Sequence, residues 1–283
     1  MRILVAGASG AAGRLIIPLL VEAGHNVTGT TRSAQKLAGI AALGARPVVV
    51  NVLEREAVFA ALQAERPDAV IHMLTDLAGL DFAANSRLRL EGGRNLVDAA
   101  LAAGVERLVG ESIAWIYAPG TGPAHETEPL DLEAPLPRGG MVGIVRSAEQ
   151  AMAQMPAGVI LRGGIFYGPG TWYARDGLTT EQVRRGEIAA DNAVTSFIHV
   201  ADMARAAVQA LEWPAGPVNI VDDEPAPASE WVPLYAKLVG APPPPHKPGA
   251  EAWERGASNA KARSLGWQPA YPTWREGFKA TLG

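Results

Sequence analysis

The chain contains no cysteine, which excludes a disulfide framework, a thiol nucleophile and a thiolate metal site. No apolar run approaches the ~20 residues that a membrane-spanning helix requires. A large excess of charge of one sign is lacking too. The 25 basic residues against 29 acidic ones leave a net charge of -4, which gives no electrostatic case for nucleic acid or an anionic membrane surface. The opening stretch MRILVAGASG lacks the basic region and long apolar segment of a signal peptide, so a cytoplasmic location is expected. Lysine is missing from every position between Lys36 and Lys237. What remains is an ordinary globular composition, 48% hydrophobic and 19% charged over 283 residues. That length suits one large domain, or one domain with a smaller lobe.

The first half alternates short β-branched runs with helical patterns, the sign of βαβ units and a parallel sheet. Strands are expected at 2–7, 26–31, 46–51, 68–74 and 107–112, with helices near 12–23, 33–42, 54–64 and 85–103. A proline-rich loop from Pro119 to Pro137 precedes a helix around 141–154 and a strand at 158–164. The expected fold is α/β: a Rossmann-type doubly wound parallel sheet with a smaller C-terminal substrate lobe. Residues 1–165 would form the dinucleotide-binding domain. Residues 166–283 would form the lobe, with a stretch near 194–221 returning to the sheet.

The segment GASGAAG follows the first strand and opens a helix. Gly7 permits the tight turn, Gly10 lets backbone reach a pyrophosphate, and Gly13 allows close helix–sheet packing. With Ser9, Ala11 and Ala12 they form a phosphate cradle at a helix N-terminus, whose free N–H groups suit a dinucleotide. Where NAD-binding chains carry an acidic residue, the second strand ends TTRS. Thr31, Arg32 and Ser33 offer donors and no carboxylate to a 2′-phosphate, which points to NADP with NAD as the alternative. Asn51 and Val52, closing the third strand, would edge the adenine, the equal alternative being a turn asparagine. Leu74 and Thr75, closing the fourth, complete the expected cofactor contacts. No metal site is expected.

In order and spacing, GASGAAG, DAVIHML, EGGRNLVDAA, SIAWIYAPG, LRGGIFYGPG, SFIHVADMARA and NAKARSLGW resemble the extended short-chain dehydrogenase/reductases of the NAD(P)-dependent epimerase/dehydratase type. The resemblance spans nearly the whole chain. It implies a cofactor-bearing Rossmann sheet, a lobe closing over substrate, and hydride transfer to or from a carbonyl or alcohol. It also implies a homodimer built on the helix near 85–103 and the one near 141–154. The family's catalytic Tyr-x-x-x-Lys is absent. Anchoring on Glu149 places Met141 and Val145 there, and the residues four places after the five tyrosines are Thr121, Thr171, Gly177, Val239 and Arg275.

Proton handling would then fall to Tyr117 or Ser112. Trp115, Arg162, Phe166, Tyr167, Trp172, Tyr173 and His199 are the expected substrate contacts. The resulting expectation is an atypical NAD(P)-dependent oxidoreductase acting on a small carbonyl or alcohol compound. A nucleotide-sugar epimerase or dehydratase, and a non-catalytic NAD(P)-binding sensor, are the alternatives.

Overall fold

A computed structural model describes residues 1–76 and 80–283. In chain order the elements are β1 (Arg2–Ala6), α1 (Gly13–Glu22), β2 (Asn26–Thr31), α2 (Leu37–Ala42), β3 (Arg46–Val49), α3 (Arg55–Glu65), β4 (Ala69–His72), α4 (Phe82–Arg87), α5 (Gly93–Ala102), β5 (Arg107–Ile113), α6 (Arg138–Met152) and β6 (Ala157–Gly163). There follow β7 (Ile165–Tyr167), α7 (Leu178–Arg184), β8 (Val194–Thr195), β9 (Phe197–His199), α8 (Val200–Gln209), β10 (Gly216–Ile220), β11 (Ala226–Pro227), α9 (Ala228–Leu238), α10 (Ala260–Ser264) and α11 (Trp274–Leu282).

Seven strands form one sheet in the order β10-β6-β5-β4-β1-β2-β3, with β1 parallel to β2 and β4, β3 parallel to β2, and β5 parallel to β4. Covering both faces with helices explains the continuous apolar runs: Ile3, Leu4, Val5 and Ala6 of β1 are all buried. The order doubles back at β1, which is the Rossmann topology expected from the sequence. The helix expected near 85–103 is present but irregular. A π turn, Leu88–Gly92, joins α4 to α5, and a Cβ at Gly92 would come within 2.8 Å of Val52 Cγ2.

The chain divides into two compact units. Unit 1 holds residues 1–112, 136–161 and 204–217; unit 2 holds 113–135, 162–203 and 218–283. The expected division is 1–165 and 166–283, with a stretch near 194–221 returning to the sheet; the compact units interleave further along the chain. The chain passes from unit 1 to unit 2 within β5, β6 and β10, after residues 112, 161 and 217. The returning stretch is accordingly shorter than 194–221, because β8 and β9 belong to unit 2, where β9 pairs with β7 and β8 with β11.

Unit 1 is built on aliphatic packing, with Leu4, Val70, Leu96, Val97, Leu108 and Met152 in one cluster. Unit 2 relies on aromatic rings. Tyr167 and Phe278 meet edge to face at 5.1 Å, Phe197 and Trp231 at 5.3 Å, and Tyr235 and Phe278 at 5.0 Å. Such pairs contribute ~0.5–1.5 kcal/mol each beyond area burial. Asp202 in α8 is fully buried and accepts the N–H groups of Ala270 (2.7 Å) and Tyr271 (3.0 Å), which ties the C-terminal segment to this core.

Asp222 is buried beside the same core. Its Oδ1 accepts from Glu224 N–H at 3.2 Å, and its Oδ2 has no hydrogen-bond partner among the described residues. Burial pushes its pKa up to about 8. Between about pH 4 and 8 this carboxyl is neutral in the fold and ionised in the unfolded chain, so stability falls as pH rises through that window. Asp222→Asn is expected to flatten the fall and raise Tm at pH 8 while changing it little near pH 4. Calorimetry across pH 4–9 checks this, and an unchanged slope would assign the pH dependence to other groups.

Candidate active site

The glycine turn is sterically committed. Gly7 has φ +86°, and a Cβ there would lie 2.4 Å from Met73 O, while a Cβ at Gly13 would lie 2.3 Å from Gly7 O. Gly10 is different: a Cβ would meet only Gly7 O, at 3.2 Å, so the outer side of the turn is open. α1 begins with no side-chain cap and no acidic residue in its first turn, which leaves its positive end unneutralised. An open backbone cradle with that potential fits a dinucleotide pyrophosphate.

Ser9 Oγ lies 3.4 Å from Thr31 Oγ1, which also accepts Ser33 N–H at 3.3 Å, so the cradle is tied to the end of β2. Arg32 is two-thirds exposed and forms an ion pair with Asp76 at 2.8 Å. The spacing along β2 gave no sign of Asp76, because this carboxylate arrives from beyond β4. Asn51 forms a local turn, its Oδ1 accepting Leu53 N–H at 3.2 Å and its Nδ2 donating to Glu54 at 2.8 Å. Val52, expected to edge the adenine, is a core residue, 6% exposed. At the end of β4, Leu74 is half-buried and donates its N–H to His72 Nδ1 at 3.3 Å, and Thr75 is exposed. Burial pushes His72 down to about 4, so it is neutral at pH 7.

Ser112 ends the unit 1 part of β5. It is 1% exposed and donates to Glu149 Oε1 of α6 at 2.5 Å. The same helix presents half-buried Met141 and buried Val145 where the family has tyrosine and lysine. One turn from the strand end, Arg89 and Glu111 form a nearly buried ion pair at 3.1 Å. Burial raises the Glu111 pKa, and Arg89 opposes that rise.

Unit 2 contains a cavity of about 260 Å³ lined by Trp115, Tyr117, Val194, Thr195, Trp253 and Glu254 among others. Tyr117 is 2% exposed; its hydroxyl donates to Asn219 Oδ1 at 2.6 Å and accepts from Arg162 Nη1 at 2.9 Å. Burial raises its pKa, with the Arg162 charge opposing, so it is a neutral phenol and a weaker acid than in water. Of the expected substrate contacts, Trp115 lines the cavity, and Arg162 is held behind the ring of Tyr117, 5.2 Å from its centroid.

The other five expected contacts are not among the residues lining this cavity. Tyr167 is 0% exposed within the aromatic core, where alternation along β7 turns it inward. Tyr173 packs on Phe197, Trp231 and Tyr235, and burial raises its pKa strongly. His199 is buried against Tyr167 and Tyr271, and its Nδ1 accepts Ala201 N–H at 3.1 Å, so it serves the start of α8. Trp172 is half-buried and is not among the cavity's lining residues, its carbonyl accepting Thr179 N–H at 3.0 Å. Phe166 is half-buried against Gly163, where a Cβ would come within 2.8 Å of its ring. The sequence reading missed Val194, Thr195, Trp253 and Glu254. A lone tryptophan in the polar segment EAWERG was the one signal available.

A profile of the NAD dependent epimerase/dehydratase family matches residues 3–221. A Streptomyces protein named 3-diazoavenalumate denitrifying reductase is 44% identical, the match covering 98% of this chain and 99% of that one. Among solved structures, Thermus thermophilus UDP-glucose 4-epimerase with NAD matches at TM-score 0.80 and 25% identity, covering 100% of this chain and 98% of that one. Bordetella bronchiseptica WbmG with NAD and UDP matches at TM-score 0.80 and 21% identity, covering 100% and 94%, a likeness of fold.

The buried Tyr117 hydroxyl makes a structural prediction. Tyr117→Phe leaves the Asn219 carbonyl and an Arg162 N–H without this partner, at an expected cost of ~1–3 kcal/mol. Urea unfolding at pH 7 reads it. An undiminished midpoint would show that the phenol carries little of this network.

Proposed function

Since the chain belongs to the NAD dependent epimerase/dehydratase family and is an NAD(P)-dependent oxidoreductase, we propose that it reduces a planar diazo compound, in its diazonium form, with release of dinitrogen. The observation that carries this reading is that the sequence contains no Tyr-x-x-x-Lys and that the two candidate hydroxyls among the described residues already have partners. Met141 and Val145 cannot titrate, Ser112 is engaged with Glu149, and Tyr117 is engaged with Asn219 and Arg162. Reduction of a carbonyl needs a hydride and a proton. Reduction of a diazonium ion needs the hydride alone: R–N₂⁺ plus H⁻ gives R–H plus N₂, so the C–N bond breaks, a C–H bond forms, and charge and atoms balance.

A dihydronicotinamide dinucleotide bound at Gly7, Gly10 and Gly13 supplies that hydride. The chain's own residues bind and enclose. In unit 1 the open turn at Gly10 would receive the pyrophosphate, and in unit 2 Trp115 and Trp253 would flank a flat substrate. The name of the Streptomyces relative, a reductase that denitrifies a diazo carboxylate, supports the same chemistry. Nucleotide-sugar epimerisation or dehydration fits less well. The described lining residues include no lysine or arginine to meet a diphosphate, and about 260 Å³ is small for a nucleotide sugar. Arg175, Arg184 and Arg185 are occupied with Gly283 O, Val239 O and Glu187.

Anaerobic incubation of the protein with NADPH and a ¹⁵N-labelled arenediazonium salt should release labelled N₂, one per NADPH consumed. Single-turnover rates of Tyr117→Phe and Ser112→Ala should stay within about fivefold of the unmodified protein, against the ~10²-fold loss expected for a general acid. Consumption of NADPH with ketones and none with the diazonium salt would restore the carbonyl reading. Consumption with neither would favour a sensor.

NADP is the proposed form of the cofactor. Thr31 carries no negative charge to oppose a 2′-phosphate, and exposed Arg32 can turn to it, but only by leaving Asp76. Asp76→Asn should therefore tighten NADPH binding, and Arg32→Ala should weaken it by about tenfold or more. Calorimetry with NADPH and NADH checks both, and equal affinities in the unmodified protein would remove the preference.

A homodimer is also proposed, because unit 1 leaves Phe82 61% and Leu136 83% exposed, just before the helices near 85–103 and 141–154 that the family resemblance pairs. A light-scattering mass of twice 29.6 kDa is expected, and a mass near 29.6 kDa would exclude it.

A further inference from the structure

Resting on the diazonium reading, we propose that the unit 2 cavity selects a cationic head group on a planar body, with Glu254 as the counter-charge and Trp115 and Trp253 as walls. Glu254 is the one formally charged residue among the described lining residues. It is held from three directions. Its N–H donates to Glu251 O at 2.9 Å, its Oε2 accepts Glu251 N–H at 2.7 Å, and its carbonyl accepts Val194 N–H at 3.1 Å. Its Oε1 takes no hydrogen bond among the described residues.

The nearby cations are turned to other work. Arg255, the next residue, is buried and pairs with Glu128, with further bonds to Ala118 O at 3.1 Å and Gly122 O at 3.0 Å. Arg162 donates to Tyr117 OH and lies over that ring, and it is not a lining residue. The cavity therefore combines one fixed negative charge with three aromatic side chains, Trp115, Tyr117 and Trp253. Ring faces are themselves negative, and a cation near them gains from both sources. A carboxylate already held by Glu251 N–H needs little reorganisation to receive it.

This charge serves turnover as well as recognition. The diazonium group is cationic, and the product R–H has lost that charge with the departing N₂. Attraction to Glu254 thus holds the substrate and disappears on reaction, which favours release of product.

The test uses probes that cannot be reduced. Phenyltrimethylammonium and its neutral isostere tert-butylbenzene are titrated into the full chain and followed by tryptophan fluorescence. The ammonium is expected to bind about tenfold tighter or more. Glu254→Gln should bring the two probes to within about threefold, by weakening the ammonium and leaving tert-butylbenzene unchanged. Glutamine keeps an acceptor for Glu251 N–H, and an unchanged Tm confirms the fold; Glu254→Asp should retain part of the preference. No cation preference in the unmodified protein, or a preference that survives Glu254→Gln, overturns the proposal. Neither probe carries a diazo group, so a cation preference without N₂ release would fault the diazonium reading alone. Release of N₂ without the preference would fault this one alone.

Discussion

Everything unit 1 does rests on how closely backbone approaches backbone at the start of α1. Gly7, at φ +86°, has no room for a Cβ against Met73 O, and Gly13 has none against Gly7 O. The helix can therefore begin immediately after β1, with its first turn uncapped and facing outward at Gly10. A methyl group at Gly7 or Gly13 would push the helix away from the sheet and misplace the N–H groups that make the turn useful. Gly10, by contrast, keeps its space for a ligand. Three glycines at one spacing thus serve two purposes, packing at the outer pair and binding at the middle one.

That division explains why unit 1 was legible from sequence. Steric demands at Gly7 and Gly13 leave one residue type, and buried parallel strands leave apolar runs, so both appear in the letters themselves. Unit 2 was less legible, because its cavity is assembled from short segments far apart in the chain: 114–117, 165, 193–196 and 253–257. No period or spacing connects them. The aromatic loop YGPGTWY suggested a pocket mouth, and its rings instead make a core. Tyr167 and Tyr173 carry the same apolar area that a pocket wall would, so composition could not separate the two uses. The Arg32–Asp76 pair escaped notice for the related reason that its partners close different strands.

The lost tyrosine and lysine were legible by arithmetic, and the structure adds what arithmetic could not. Hydroxyls exist at Ser112 in unit 1 and Tyr117 in unit 2, yet each has a polar partner at 2.9 Å or less. A phenol whose pKa is raised by burial is a poor substitute for one lowered by a lysine. Hydride chemistry with no proton demand is the simplest use of a fold that keeps its cofactor cradle and discards its acid.

In the proposed reaction, charge takes over the task that an acid performs in carbonyl reduction. In carbonyl reduction, a negative oxygen develops and must be neutralised by an acid. In diazonium reduction, positive charge is already present and is destroyed by the hydride, so the useful protein group is an anion that holds the ground-state cation without quenching it. Too strong a hold would raise the barrier, since attraction in the ground state is lost as the charge vanishes. A half-buried carboxylate such as Glu254, already sharing one oxygen with Glu251 N–H, is a weaker counter-ion than a fully desolvated one. That moderation is what a site acting on a reactive cation requires: enough attraction to collect it from water, and too little to stabilise it against reduction.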